Sequence, residues 1–530
     1  MSTTQVAWDW DAVARDAGVD RDGRFNAGAA RIDHPRALVW WRGPGRIEPW
    51  SGADLGRRAE VLAAGLRSAG VQPGDRVAGV LARTPDSLAL PLAVWRLGAI
   101  FVPLFTGFGA EALAVRLEDS GTAVLVTDPA NAADVARALP DGVRLVTVTE
   151  VAGCESLPKL AERAPARPGV AATAGSDPAT IMYTSGTTGR PKGCVIPHRA
   201  LFNLRPFIDA CLALDARRDV LFSTADTGWS FGLYTTGLSP MSAGISRVML
   251  EPGFDAATWW TAMRETGGTH LATAPTGLRQ LAAAGTGGLG GPVPVAGATS
   301  AGEPLGPDVI GWFERHLGFR VHDAYGLTEL GMVIANQRGP RAPEPRPGSM
   351  GTPLPGFEAA LFDLDGGFLG QEGEARGRLA IRDNGNLLGM GYWGRQAEWD
   401  AKLADGWWCT EDLVERDADG RYWYVGRMDD VIVSAGYNVG PFDVESALVE
   451  HPAVLDAAAV GEPDERKGQV VAAHVVLADP GTDQAALLEA LRTWVGERVG
   501  WHAAPRRLHV HDALPRTESG KVKRKDLRAG

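Results

Sequence analysis

The stretch that decides the reading is Thr180-Ile181-Met182-Tyr183-Thr184-Ser185-Gly186-Thr187-Thr188-Gly189-Arg190-Pro191-Lys192-Gly193. Its first four residues form a short apolar run bounded by turn formers, which reads as a buried strand. The strand runs into a segment dense in Gly, Ser and Thr that ends in a lysine. Glycines let successive backbone N–H groups converge, hydroxyls add donors, and the lysine supplies a point charge, so such a loop can wrap phosphate. No Gly-Lys-Ser/Thr follows, which disfavours the phosphate loop of ordinary kinases and GTPases. Gly285-x-Gly287-x-x-Gly290 matches a dinucleotide fingerprint in letters only, because it follows a helical pattern at residues 278–284 and not a strand.

Outward from the loop, residues 55–250 alternate apolar runs (76–81, 123–127, 144–148) with helical patterns (53–69, 130–139), the signature of a parallel α/β sheet. From about 340 to 425 short runs are punctuated by Gly and Pro, as in Arg346-Pro347-Gly348 and Leu354-Pro355-Gly356, and read as antiparallel structure forming a small β-barrel. Beyond Arg427-Met428-Asp429-Asp430 a strand–helix–strand–strand–helix order fills about 100 residues, the size of a small α+β domain. The expected fold class is therefore α/β plus α+β. A large N-terminal domain of parallel α/β subdomains with a small β-barrel spans 1–428, and a small α+β domain spans 429–530.

At 530 residues, 45% apolar and 22% charged, the chain suits a multidomain soluble enzyme. The N-terminus lacks a basic start followed by an apolar core. The most apolar stretch, 88–104, is broken by Pro91, Arg96 and Pro103, so neither secretion nor membrane insertion is expected. Cys154, Cys194, Cys211 and Cys409 show no disulfide or zinc spacing, and a reducing cytoplasmic location fits. A net charge of -11 with no basic run interleaved with aromatics argues against nucleic acid as a partner.

At the phosphate loop the chain resembles the adenylate-forming superfamily of acyl-CoA synthetases, luciferases and peptide-synthetase adenylation domains. Four more strings follow in that family's order: Tyr325-Gly326-Leu327-Thr328-Glu329, Thr410-Glu411-Asp412, Gly426-Arg427-Met428-Asp429-Asp430 and Pro515-Arg516-Thr517-Glu518-Ser519-Gly520-Lys521. The resemblance spans roughly residues 35–528. It implies ATP, Mg²⁺ and CoA as cofactors and two half-reactions: a carboxylate attacks the α-phosphate of ATP and pyrophosphate leaves, then the CoA thiol attacks the acyl carbonyl and AMP leaves.

The resemblance also implies roles. Thr184, Ser185, Gly186, Thr187, Thr188, Gly189 and Lys192 hold phosphates; Thr328 donates to the α-phosphate; Glu329 holds Mg²⁺. Asp412 chelates the ribose hydroxyls, a task a single carboxylate can do for two donors. Arg427, Glu303, Asp323 and Tyr325 complete the nucleotide site. Lys521 reaches the carboxylate and α-phosphate during adenylation on a mobile C-terminal domain that hinges at Asp429. Gly436 leaves room beside the pantetheine arm of CoA.

For the acid, Ala225-Asp226-Thr227-Gly228-Trp229 and the later run 440–446 look most like medium-chain acyl-CoA synthetases and their aryl-acid relatives. Acetate-specific members resemble Trp-Trp-Gln-Thr-Glu where this chain has Tyr325 to Glu329, so Gly326 is expected to leave a deeper pocket, with Trp229 and Ala274 as further pocket residues. One departure stands out. Medium-chain members carry Gly-Tyr-Arg where this chain reads Gly436-Tyr437-Asn438, and a lost guanidinium removes a charge-assisted contact of about 1.5–3 kcal/mol. The leading expectation is an AMP-forming ligase joining CoA to an acid larger than acetate. Beside it stand an adenylating enzyme that delivers to a separate carrier protein, a chain limited to one half-reaction, and a non-catalytic acyl-adenylate binder. A homodimer is compatible with each.

Overall fold

The computed structural model describes residues 8–164, 166–184, 191–251, 253–340, 342–434, 437–464, 468–516 and 522–528, with backbone only at 433, 437, 438 and 468. Among them are three sheets. The first has six strands in the order Arg144–Thr147, Thr122–Thr127, Arg76–Val80, Ile100–Leu104, Pro178–Thr184 and Lys192–Pro197. The first five are parallel and the last turns back antiparallel. Parallel strands need crossovers, and helices supply them. Helix Gly52–Ser68 starts at a capping box, with Ser51 and Asp54 each bonding the other's backbone N–H. It buries Leu55, Ala59, Leu62 and Leu66, a one-faced stripe at helical spacing. The apolar stretch 88–104 is divided between helix Asp86–Arg96, with Pro91 inside it, and strand Ile100–Leu104. Among the described residues no helix is long and apolar enough to cross a membrane.

The second sheet has an antiparallel pair at one edge, Ile47–Trp50 and Leu38–Trp41, and is then parallel through Ser246–Leu250, Val220–Ser223, His270–Thr273, Gly297–Ala301 and Val321–Leu327. It turns antiparallel at Gly331–Ala335 and continues through Ser349–Pro353, Tyr422–Arg427, Trp407–Arg416, Ala375–Arg382 and Ala359–Phe362. The texture change near 340 is thus an antiparallel extension of the parallel sheet. Among the described strands no ladder closes it into a ring.

The first two sheets meet through aromatic packing. Trp95 stacks on Tyr234 with ring centroids 5.8 Å apart, and the Trp95 indole donates to the Ala179 carbonyl at 2.8 Å. The Tyr234 hydroxyl lies 2.8 Å from Thr180 Oγ1. Such a pair contributes about 0.5–1.5 kcal/mol beyond its buried area. It ties strand Pro178–Thr184 to the helix Phe231–Leu238, which connects two strands of the second sheet.

The third sheet has Gly468–Leu477 at its centre, flanked by Val454–Asp464, Ile432–Ser434 and Arg507–Val510. Alternation decides its faces. Ala457, Ala459, Val471 and Ala473 pack on helices Pro441–Val449 and Gln484–Arg498, through Val444, Leu448, Leu487 and Leu491. The other face presents Ala458, Val460 and Ala472 to Leu514 and Leu527 of the C-terminal segment.

Candidate active site

Thr184 and Lys192 are ladder partners at the foot of the hairpin formed by Pro178–Thr184 and Lys192–Pro197. The proposed phosphate loop connects them, and its residues Ser185, Gly186, Thr187, Thr188 and Gly189 lie outside the described residues. So do Gly436, Lys521 and the Asn438 side chain. Lys192 is 14% exposed, pairs with Glu398 at 2.7 Å and lies 5.5 Å from the centre of the Tyr392 ring. Glu398 is itself 44% exposed, and exposed pairs contribute at most about 1 kcal/mol. A phosphate can therefore take this lysine from its resting partner.

A cavity of about 460 Å³ opens beside the hairpin foot. Thr184, Lys192, Trp229, Ala274, Glu303, Gly326, Thr328, Glu329, Asp412 and Arg427 all line it. Residues more than 200 positions apart in the sequence thus share one wall system. Tyr325 and Asp323 stand behind the wall.

Thr328 and Glu329 occupy a tight turn between strands Val321–Leu327 and Gly331–Ala335, not the start of a helix. The Leu330 N–H donates to the Leu327 carbonyl at 3.1 Å, and Gly331 completes the reversal at φ +74, a conformation that favours glycine. Glu329 is 9% exposed, and the Tyr392 hydroxyl donates to its Oε1 at 2.8 Å. Burial, then the adjacent Glu329 charge, pushes the Tyr392 hydroxyl well above its ordinary range and keeps it a donor. The carboxylate is held at the cavity wall and offers the hard oxygen donor that suits Mg²⁺.

Asp412 sits mid-strand opposite Arg427. The Tyr325 hydroxyl donates to Asp412 Oδ2 at 2.5 Å, and the Asp412 N–H donates to Thr410 Oγ1 at 3.1 Å. Tyr325 therefore acts by fixing the carboxylate. Glu411, on the alternate side of the strand, bonds Lys402 Nζ at 2.7 Å and also the Arg427 guanidinium, which donates to Asp429 at 3.1 Å as well. Glu303 accepts from Thr276 at 2.7 Å and Arg279 at 2.6 Å. Asp323 is 4% exposed, and burial pushes its carboxyl well up, with Oδ1 lacking a hydrogen-bond partner.

At the other end, Trp229 lies 5.8 Å from the Phe105 ring and 6.4 Å from that of Phe108. Asp226 lines the floor there. Burial raises its carboxyl, while the Gly228 N–H and the Arg83 and Arg247 charges pull the other way. Gly326 reaches the cavity only through its backbone. A Cβ there would lie 2.2 Å from the Gly331 carbonyl oxygen, so the position is glycine because the bulged strand runs too close to its neighbour. Gly326 itself lines the cavity, and this backbone leaves no room for a side chain there.

Tyr392, Lys402, Glu411, Asp226 and Phe105 were not singled out as site residues from the sequence. Glu411 and Asp226 stood inside quoted strings; Tyr392, Lys402 and Phe105 carry no local pattern.

Comparison with known proteins now gives this geometry its family. The sequence profile of the AMP-binding enzymes matches residues 25–393, and that of the AMP-binding enzyme C-terminal domain matches 443–521. The chain is 30% identical to the acetyl-coenzyme A synthetase of Bacillus subtilis, covering 98% of this chain and 93% of that protein. Among solved structures it resembles the Brucella canis acyl-CoA synthetase, with 35% identity, TM-score 0.74, and coverage of 98% of this chain and 97% of the other. It also resembles a benzoate CoA ligase from Burkholderia xenovorans LB400, with 27% identity, TM-score 0.83, and coverage of 95% and 100%. Enzymes of this kind use ATP, Mg²⁺ and CoA. A hairpin-borne lysine, a turn-borne Glu329 and a strand-borne Asp412 around one cavity, in a chain matched by both profiles, place it in the AMP-binding enzyme family as an AMP-forming acyl-CoA synthetase.

Proposed function

We propose that this chain activates a carboxylic acid larger than acetate, medium-chain or aryl, as an acyl adenylate and transfers the acyl group to CoA. The observation that carries the reading is a single cavity with a charged end beside Lys192, Glu329, Asp412 and Arg427 and an aromatic end at Phe105 and Trp229. Adenylation brings two anions together, and the charged end supplies fixed donors for them. The acid's tail then falls toward the rings, where apolar burial contributes about 0.8 kcal/mol per methylene. The likeness to a benzoate CoA ligase supports an aryl or other bulky acid. Because the chain is also similar to an acetyl-coenzyme A synthetase, acetate is the competing short acid.

In this reading Thr184 and Lys192 orient the phosphates, together with residues 185–189. Asp412, held by Tyr325, accepts from both ribose hydroxyls, and Thr328 donates to the α-phosphate. Glu329, held by Tyr392, is the ligand for Mg²⁺, which supplies positive charge against the departing pyrophosphate. Lys521 neutralises the attacking carboxylate. The domain from 429 to 530 then turns at Asp429, withdrawing Lys521 and bringing Gly436 beside the pantetheine arm. A reducing cytoplasmic setting belongs to the same reading.

Incubation with ATP, Mg²⁺ and an acid panel from acetate to aryl acids, with and without CoA, tests it by pyrophosphate, AMP and thioester release. Bulky acids are expected to release pyrophosphate without CoA and to form thioester with it. No pyrophosphate from any acid, while supplied acyl adenylate still becomes thioester, overturns the two-step assignment. Acetate as the best substrate overturns the acid assignment alone.

A further inference from the structure

The third sheet carries a cluster that the ligase chemistry does not use. His474, on the central strand, lies beside its ladder partner His509, with ring centroids 4.5 Å apart. Glu462 reaches the pair from the neighbouring strand Val454–Asp464. Its Oε1 is 2.7 Å from His509 Nε2 and 3.9 Å from His474 Nε2, and the three ligand atoms all lie within 4.8 Å of one another. We propose that Glu462, His474 and His509 form a binding site for a divalent transition-metal ion of the zinc class, joining three strands of the C-terminal sheet.

Geometry fits such an ion. A tetrahedral centre with bonds of about 2.0–2.1 Å sets its ligand atoms roughly 3.3 Å apart, inside the range seen here. The donor set of two imidazole nitrogens and one carboxylate oxygen matches zinc sites that keep a fourth position for water.

The polar atoms are also left wanting. His474 is 4% exposed, and both Nε2 atoms are shielded from solvent without a hydrogen-bond partner. Buried polar atoms are normally satisfied, and an orphan calls for an ion or water. His509 Nε2 and Glu462 Oε1, 2.7 Å apart, converge on the same point as His474 Nε2.

The surroundings orient the ligands. His474 Nδ1 lies 2.9 Å from His511 Nε2, the outer hydrogen bond that metal-bound imidazoles require to fix the tautomer. Arg507 bonds Glu462 Oε2 at 2.5 Å, leaving Oε1 for the cluster. The cluster occupies the sheet face on which Leu514 and Leu527 pack, so a bound ion would brace the platform under the C-terminal segment.

The test uses the tag-free full chain, stripped with chelator and titrated with Co²⁺, whose visible absorption reports low-coordinate imidazole ligation. One Co²⁺ per chain is expected, displaced by Zn²⁺. His509→Asn, at a side chain 41% exposed, is expected to abolish the spectrum with an unchanged metal-free unfolding midpoint. His511→Ala should weaken binding by about 10- to 100-fold. Absence of Co²⁺ binding by the wild-type chain overturns the proposal. So does binding that His509→Asn and His474→Asn leave equally tight, which would place the metal elsewhere.

Discussion

The two ends of the cavity are built on opposite plans. At the charged end each group already has a partner: Glu329 holds Tyr392, Asp412 holds Tyr325, Glu411 bridges Lys402 and Arg427, and Lys192 rests on Glu398. At the aromatic end Trp229, Phe105 and Phe108 meet only through their ring edges and faces. Fixed polar groups cost little to reorganise when charge develops, which suits chemistry common to every substrate. Apolar packing tolerates changes of shape, which suits the part that varies. The contrast teaches that turnover and acid preference should be separable by mutation.

The strongest attempt to break that separation is Lys521→Ala. Pyrophosphate release should fall by about 10³-fold for every acid alike, while thioester formation from supplied acyl adenylate persists. Equal loss of both steps would count against the turning domain. Next, Glu329→Gln should lower adenylation by about 10²-fold and raise the Mg²⁺ concentration needed for half-maximal rate, again without reordering the acids. Asp412→Asn removes a charged acceptor worth about 1.5–3 kcal/mol, so KM for ATP should rise at least tenfold while KM for the acid stays within twofold. Smallest in overall rate, and sharpest in meaning, is Trp229→Ala. The ratio of kcat/KM between an aryl acid and a short straight-chain acid should shift by about 10-fold, with KM for ATP unchanged. A change of acid ranking in Asp412→Asn, or of ATP affinity in Trp229→Ala, would break the comparison.

Much of this was legible before any coordinate. The strand at 180–183 extends to Pro178–Thr184, and the helical stripe at 53–69 is Gly52–Ser68. Periodicity reports burial, and burial on one face is what both elements do. The helix expected over 130–139 is shorter, Ala132–Ala136; Ala138 beyond it is still buried, and Pro140 disfavours helical backbone in the residue before it. The Thr328-Glu329 pair carries a local signal equally consistent with a helix start. The turn wins because Gly331 reverses the chain and the following strand pairs with the one before it. Tyr392 and Lys402 could not be read at all. Each contributes a single side chain to a wall whose other members lie far away in the sequence, and no periodicity encodes that. At Gly326 the letter alone did not tell that the neighbouring Gly331 carbonyl lies 2.2 Å from where a Cβ would sit; that direction is set by the strand pairing.

The wide sequence separation within the cavity wall has a consequence for biosynthesis. Phe105 and Trp229 leave the ribosome long before Asp412 and Arg427, yet all four bound the same space. Domains form in order of emergence, and contacts between distant segments close last. The nascent first sheet can therefore pair its strands early, while under the proposed roles of Asp412 and Arg427 the nucleotide site has no ribose contact until about four-fifths of the chain has been made. An unfinished chain of this protein should be unable to sequester ATP, and nucleotide affinity would serve as a readout of completed synthesis.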